Sequence, residues 1–218
     1  NHAVTLAVGT HPLASFSNNA TLTFNGWNAP LVAEEVAVNA TVTHLAQTAT
    51  APDPVSGEWV PDNRVWIVCT NLTVTAAGKI DTSGKGYVCT TANSGGPGSS
   101  TDYYSGGSHG GRGEKGSGPT YGSAEAPVDP GSGGGLKSLS KGGGVVRIAA
   151  SGTVTVDGGI LARGSTTSLV AGEGSGGSIF ITCRALAGGG TVSANGGTSA
   201  NIYCGGGGGG RIAVLYDP

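Results

Sequence analysis

The chain has 218 residues, 43 of them glycine, and charged residues make up 11%, well below the roughly 25% usual for soluble domains. Eleven Lys and Arg face 13 Asp and Glu for a formal net charge of −2, which excludes the basic footprint of a nucleic-acid binder. No apolar run is long enough for a membrane span and no charged-then-apolar leader opens the sequence; with no methionine present, Asn1 reads as the start of a processed or excised chain.

Residues 3–8 (AVTLAV) alternate in the manner of a strand. Residues 31–46 carry a loose repeat around Thr41, Val42 and Thr43, and a Pro-rich excursion spans Gln47 to Asn63. Residues 65–84 form a fuller unit: an alternating apolar run, a break, a Thr-Val run, a glycine and a third short apolar segment. The unit aligns without a gap to residues 145–164. Thr73, Val74, Thr75, Gly78, Ile80 and Gly84 then match Thr153, Val154, Thr155, Gly158, Ile160 and Gly164. A third copy at 178–197 needs a one-residue adjustment, and residues 209–217 open a fourth.

Alternation puts Val146, Ile148 and Val154 on one face and Arg147, Thr153 and Thr155 on the other. One such unit cannot bury its own apolar face, so several must stack. The expected fold is all-β: a right-handed parallel β-helix with coils of about 20 residues and almost no helix. Residues 1–64 supply a β region with the first coils and the Pro-rich loop. Residues 65–218 form the glycine-rich solenoid, with 85–144 as an insertion. Glycine loses the most backbone entropy on ordering, so this insertion is expected to pack as close polyproline II-like strands against the solenoid flank.

Several segments together carry a family resemblance: SHGGRG at 108–113, TYGS at 120–123, PGSGGG at 130–135, KGGGVVRIAASGTVTVDGGI at 141–160, the run at 174–197, and GGGGGGRIAV at 205–214. Over residues 65–218 the chain resembles the glycine-rich β-helical repeat domains of very large microbial secreted and cell-surface proteins. The resemblance implies an extracellular or cell-surface solenoid, often one unit of a longer array, and it brings no catalytic residue with it. The four cysteines depart from that pattern.

Cys69, Cys89, Cys183 and Cys204 show no C-x-x-C pair, and the four histidines are scattered, which argues against zinc. The spacings from Cys69 to Cys89 and from Cys183 to Cys204 match one coil. Neighbouring strands lie about 4.8 Å apart, inside the disulfide window, so two bridges between adjacent coils are expected, and with them an oxidising compartment. The alternative is a ladder of buried thiols. Asn19, Asn39 and Asn71 head glycosylation sequons.

An enzyme of the polysaccharide-active β-helix type needs clustered carboxylates. Asp102, Tyr103, His109, Arg112, Glu114, Tyr121 and Asp129 are the loop residues from which such a site, or a structural Ca²⁺ site based on Asp102 and Asp129, would be drawn. No other cofactor is implied, and the expectation is a protein without catalytic activity. The segments Thr41-Val-Thr43, Thr73-Val-Thr75, Thr153-Val-Thr155 and Thr191-Val-Ser193 would form outward ranks like those of ice-binding solenoids, although Thr is favoured on any exposed strand face.

The expected role is that of an extracellular structural protein assembling with its own copies into a fibre, stalk or surface array, with adhesion or glycan binding alongside. Open solenoid ends expose unpaired strand edges. Arg211, Ile212 and Val214 at one end and Ala3, Thr5 and Ala7 at the other are the assembly residues, Ile212 and Val214 facing the core. Proline at Ala213 is expected to remove a ladder donor and block assembly. A monomeric module of a giant adhesin is the alternative.

Overall fold

A computed structural model describes residues 13–90, 95–115, 118–135, 139–167 and 171–216. Residues 3–8 lie outside them, as do the expectations placed on Ala3, Thr5 and Ala7. Among the described residues the chain is all-β, with thirteen strands and no helix. In chain order these are β1 (Leu13–Asn18), β2 (Leu22–Phe24), β3 (Leu31–Val38), β4 (Thr41–His44), β5 (Val65–Val74), β6 (Lys79–Asp81) and β7 (Val145–Ala150). They continue with β8 (Thr153–Val156), β9 (Gly159–Leu161), β10 (Ser178–Cys183), β11 (Ala185–Ala187), β12 (Thr191–Ser193) and β13 (Arg211–Tyr216).

Two sheets result, and every pairing between these strands is parallel. The first runs β1-β3-β5-β7-β10-β13, with β8 paired to the second half of β5 and β11 paired to β8. The second runs β2-β4-β6-β9-β12. Alternation behaves as the sequence predicts: Val146, Ile148 and Val154 are buried while Arg147, Thr153 and Thr155 are half-buried. The apolar faces meet in one core that includes Val38, Val42, Ile67, Leu72, Ile80, Ile160, Ile179 and Ile181. Each side chain gains by leaving water, roughly 25 cal/mol per Å² of apolar surface.

The register corrects the expected coil length. Leu13 lies opposite Ala33, which is the expected 20-residue step, but Val146 lies opposite Ile179 and Ile179 opposite Ile212, steps of 33 residues. The ungapped alignment also slips inside the unit: Ile80 does face Ile160, whereas Val74 faces Val156 and Leu72 takes Val154. Steps are longer because each later pass leaves the second sheet, makes a detour and re-enters the first. The detours are residues 45–64, 82–144, 162–177 and 194–210.

The last three detours pack on one another with a periodicity of three. Gly205 and Gly208 donate to the carbonyls of Tyr104 and Gly107 (2.7 and 2.8 Å), while Gly207 and Gly210 donate to Gly197 and Ala194 (2.9 and 2.7 Å). Glu173 and Gly176 donate in turn to Gly205 and Gly208, both at 3.0 Å. Residues three apart thus serve one neighbour and residues of different phase serve different neighbours, as on a polyproline II helix with three residues per turn. Backbones approach closely enough to exclude side chains: a Cβ on Gly106 would stand 1.9 Å from the Gly206 carbonyl oxygen. Serine hydroxyls fill the remaining polar valences. Ser132, Ser140 and Ser175 are fully buried, and Ser140 Oγ accepts from Gly134 N–H and donates to the Gly172 carbonyl, both at 2.8 Å. The insertion is therefore held by buried backbone bonds, in a layer almost free of aliphatic side chains beside the conventional core.

Candidate functional site

The last described strand decides what one end of the sheets presents. Arg211, Ala213 and Leu215 lie opposite Ser178, Phe180 and Thr182, and Ile212, Val214 and Tyr216 lie opposite Ile179, Ile181 and Cys183. Ile179 and Ile181 are 0% exposed, yet Ile212 is 45% and Tyr216 58% exposed, because among the described residues no strand covers β13. Val214 is half-buried against the core, as are Leu186 of β11 and Val192 of β12 beside it. The opposite end repeats this condition. β1 pairs only with β3 among the described strands; Leu13 is exposed, and Phe16 and Leu22 are partly buried on the core.

Arg211 N–H donates to the Gly177 carbonyl at 2.9 Å, which sets the phase of β13: the N–H groups of Arg211, Ala213 and Leu215 face β10, and those of Ile212, Val214 and Tyr216 face outward. This corrects the expectation for proline at Ala213, which would remove a bond inside the sheet and leave the open edge intact. The guanidinium Nε of Arg211 also donates to the Tyr121 carbonyl at 2.9 Å, tying β13 to the glycine-rich layer.

Of the loop residues singled out in the sequence, His109, Tyr121 and Asp129 come together. The His109 and Tyr121 rings are 4.6 Å apart. Gly122 sits beside His109 and Asp129, at a φ of +79° that disfavours any side chain; a Cβ there would stand 2.8 Å from Asp129 Oδ2 and 3.3 Å from His109 Nε2. His109 Nδ1 bonds the Gly176 carbonyl at 2.8 Å, and burial lowers its pKa to about 4, so the ring is neutral. Burial likewise raises the Asp129 pKa. The remaining members disperse: Glu114 accepts from Gly206 N–H, Asp102 is exposed and accepts from Tyr104 N–H, and Tyr103 packs edge-on to Tyr104. Among the described residues no group of three or more His, Cys, Asp or Glu is placed to hold a metal ion; of the two Ca²⁺ candidates, Asp102 is exposed and Asp129 lies beside Gly122 and His109.

All four cysteines are buried, and neither expected disulfide bridge is present. The cause is the register. Cys69 faces Ala33 and Ala150, because the chain enters the glycine-rich detour before it can lay Cys89 on β5. Cys183 faces Tyr216 and follows Thr182, which sits opposite Ala149. Burial, with Glu35 adding to it, pushes the Cys69 thiol up to about 11, and burial raises Cys183 as well, making both poor nucleophiles. Glycines that a Cβ would crowd line Cys89, whose Cβ is 2.8 Å from that of a side chain built on Gly95.

The Thr-x-Thr segments do not form one rank. Those at 41–43 and 191–193 belong to the second sheet and those at 73–75 and 153–155 to the first, and Ser193 is buried. A single flat threonine face, as ice binding would need, is absent among the described residues.

One cluster escaped the sequence reading. Trp27, Arg64, Trp66 and Arg147 stack on the outer side of the first sheet, with Trp66 opposite Arg147 in the β5–β7 register. The sequence carried no clear signal for it: the ungapped alignment lays Trp66 on Val146 and Ile67 on Arg147, and only the structural register brings Trp66 opposite Arg147; Trp27 and Arg64 lie outside strands and join only through the fold. Comparison with protein-family models, curated proteins and solved structures finds no match to the chain.

Proposed function

We propose that this protein is an extracellular structural protein, a unit that builds a fibre, stalk or surface array by stacking its open sheet ends. The parallel passes read best as a right-handed β-helix, the hand that crossover connections between parallel strands overwhelmingly take. The observation that carries the proposal is the apolar rank of Ile212, Val214 and Tyr216, which continues a fully buried core and, among the described residues, has no strand over it. A row of outward N–H and C=O groups beside it favours one more parallel strand. β1 of a second copy, with Leu13 and Phe16 on the matching side, supplies one, and head-to-tail addition that does not close makes a filament. No catalytic role is assigned.

Electron microscopy and sedimentation of the chain at rising concentration test the proposal. The native protein forms filaments or a concentration-dependent series of oligomers. Ile212→Lys, which points an ammonium group into the stacking surface while leaving the isolated subunit's buried core untouched, remains monomeric with an unchanged circular dichroism spectrum. A native chain that stays monomeric throughout removes the fibre reading and leaves the adhesin-module reading, in which the same coil stack is a spacer.

A further inference from the structure

Arg64 lies between two indoles, its guanidinium carbon 4.5 Å from the Trp27 ring centroid and 4.2 Å from that of Trp66. Arg147 approaches the Trp66 ring as well, at 5.0 Å. Two cations thus share one aromatic cluster. No carboxylate balances them: among the described residues the one ion pair is Lys79 with Asp81, on the second sheet. Arg64 is 4% exposed, and burial together with Arg147 lowers its pKa to about 10.

Indole faces stabilise a guanidinium from above and below its plane, but its five N–H donors lie in the plane and need acceptors there. Arg64 Nε–H is buried and has none, and the buried Trp66 Nε1–H has none either. Burying a charged donor without an acceptor is costly, and an anion held close to the cluster offsets part of that cost through its charge. Phosphate polymers fit poorly, because nucleic-acid affinity comes from a run of cations and the chain carries 11 Lys and Arg against 13 Asp and Glu. An acidic sugar fits better: one oxyanion for the arginine pair, and ring C–H groups to lie against indole.

We propose that the Trp27–Arg64–Trp66–Arg147 cluster binds the oxyanion of an acidic polysaccharide, a uronate carboxylate or a sulfate ester, with half-buried Arg147 meeting the anion at the surface and the buried charge of Arg64 behind it adding to the attraction. The site is on the outer face of the first sheet and does not depend on assembly through the ends.

Tryptophan fluorescence and calorimetric titration of the full chain with polygalacturonate, dextran sulfate, neutral dextran and single-stranded DNA test it. A saturable response to one or both acidic polysaccharides is expected, with none to dextran, and it weakens as salt rises; which of the two binds more tightly distinguishes carboxylate from sulfate ester. Arg64→Gln and Arg147→Gln each weaken binding about tenfold or more, the usual worth of a charged hydrogen bond. Arg147 is half-buried and outward, so its variant reports on binding even if Arg64→Gln loosens the cluster. The proposal is overturned if no acidic polysaccharide gives a saturable response, if Arg147→Gln binds as the native chain does, or if DNA or dextran binds equally well.

Discussion

Within the six-glycine run at 205–210 the residues are chemically identical, yet their surroundings differ sharply. A Cβ on Gly207 would stand 1.9 Å from the Gly174 carbonyl oxygen, whereas one on Gly209 would meet nothing within 4 Å. Overpacking against rigid backbone costs about 3 kcal/mol, while an exposed, unobstructed substitution costs within about 0.5 kcal/mol. Urea denaturation is therefore expected to show Gly207→Ala strongly destabilised and Gly209→Ala close to native. Equal effects at both positions would mean that the chains of the layer are not packed in this phase. The sequence announces that glycine matters here, but a homopolymeric run contains no signal that ranks its members.

Among the connecting elements, the Pro-rich excursion shows how a loop without strands is held at its neck. Gln47 and Asn63, the residues that bound it in the sequence, are both buried. Gln47 Nε2 donates to the Asn63 carbonyl at 2.5 Å, and its Oε1 accepts from the N–H groups of Asp62 and Asn63 at 2.8 and 3.3 Å. Asn63 Nδ2 donates to the Ala46 carbonyl at 3.1 Å, and its Oδ1 accepts from Gly26 N–H at 2.9 Å. Removing the amide strands buried backbone groups, so Gln47→Ala is expected to cost about 2–3 kcal/mol and to expose the loop from 47 to 63 to proteolysis. A variant that keeps its urea midpoint would show that water replaces the amide. The limits of this excursion were legible because prolines and polar residues interrupt the alternation; the reciprocal pairing at its ends was not, since it joins positions far apart in sequence.

For the molecule as a whole, two layers of different chemistry share one dependence on pH. His44 and His109 are fully buried and each has its pKa lowered to about 4, with burial the leading cause. His44 Nε2 accepts from Val145 N–H at 3.0 Å, where the glycine-rich layer enters β7. Below pH 6.5 the unfolded chain takes up protons that the folded chain refuses, so the two histidines stabilise the fold above that pH. Their contribution falls as pH drops toward 4, by about 1.4 kcal/mol per pH unit for each. Asp129 and Glu173, whose pKa values are raised by burial, act with the opposite sign just above the ordinary carboxylate range and offset part of this loss. Chemical denaturation between pH 7 and pH 4 is expected to show stability decreasing through the window; a flat profile would place both imidazoles in contact with water.

Alternation with period two, the repeated Thr-Val units and the shortage of long helical periods were enough to establish an all-β chain of parallel, stacked passes, since each depends on which side of a strand a residue faces and that is a local property. Glycine abundance likewise announced close backbone packing. Coil length, cysteine partners, the division of the threonine segments between two sheets and the Trp27–Arg64–Trp66–Arg147 cluster were settled by tertiary structure. Each depends on how far a detour carries the chain before it returns to the sheet. That distance is set by bonds between glycine-rich segments that lack side chains, and so leave no residue-specific mark of their partners in the sequence.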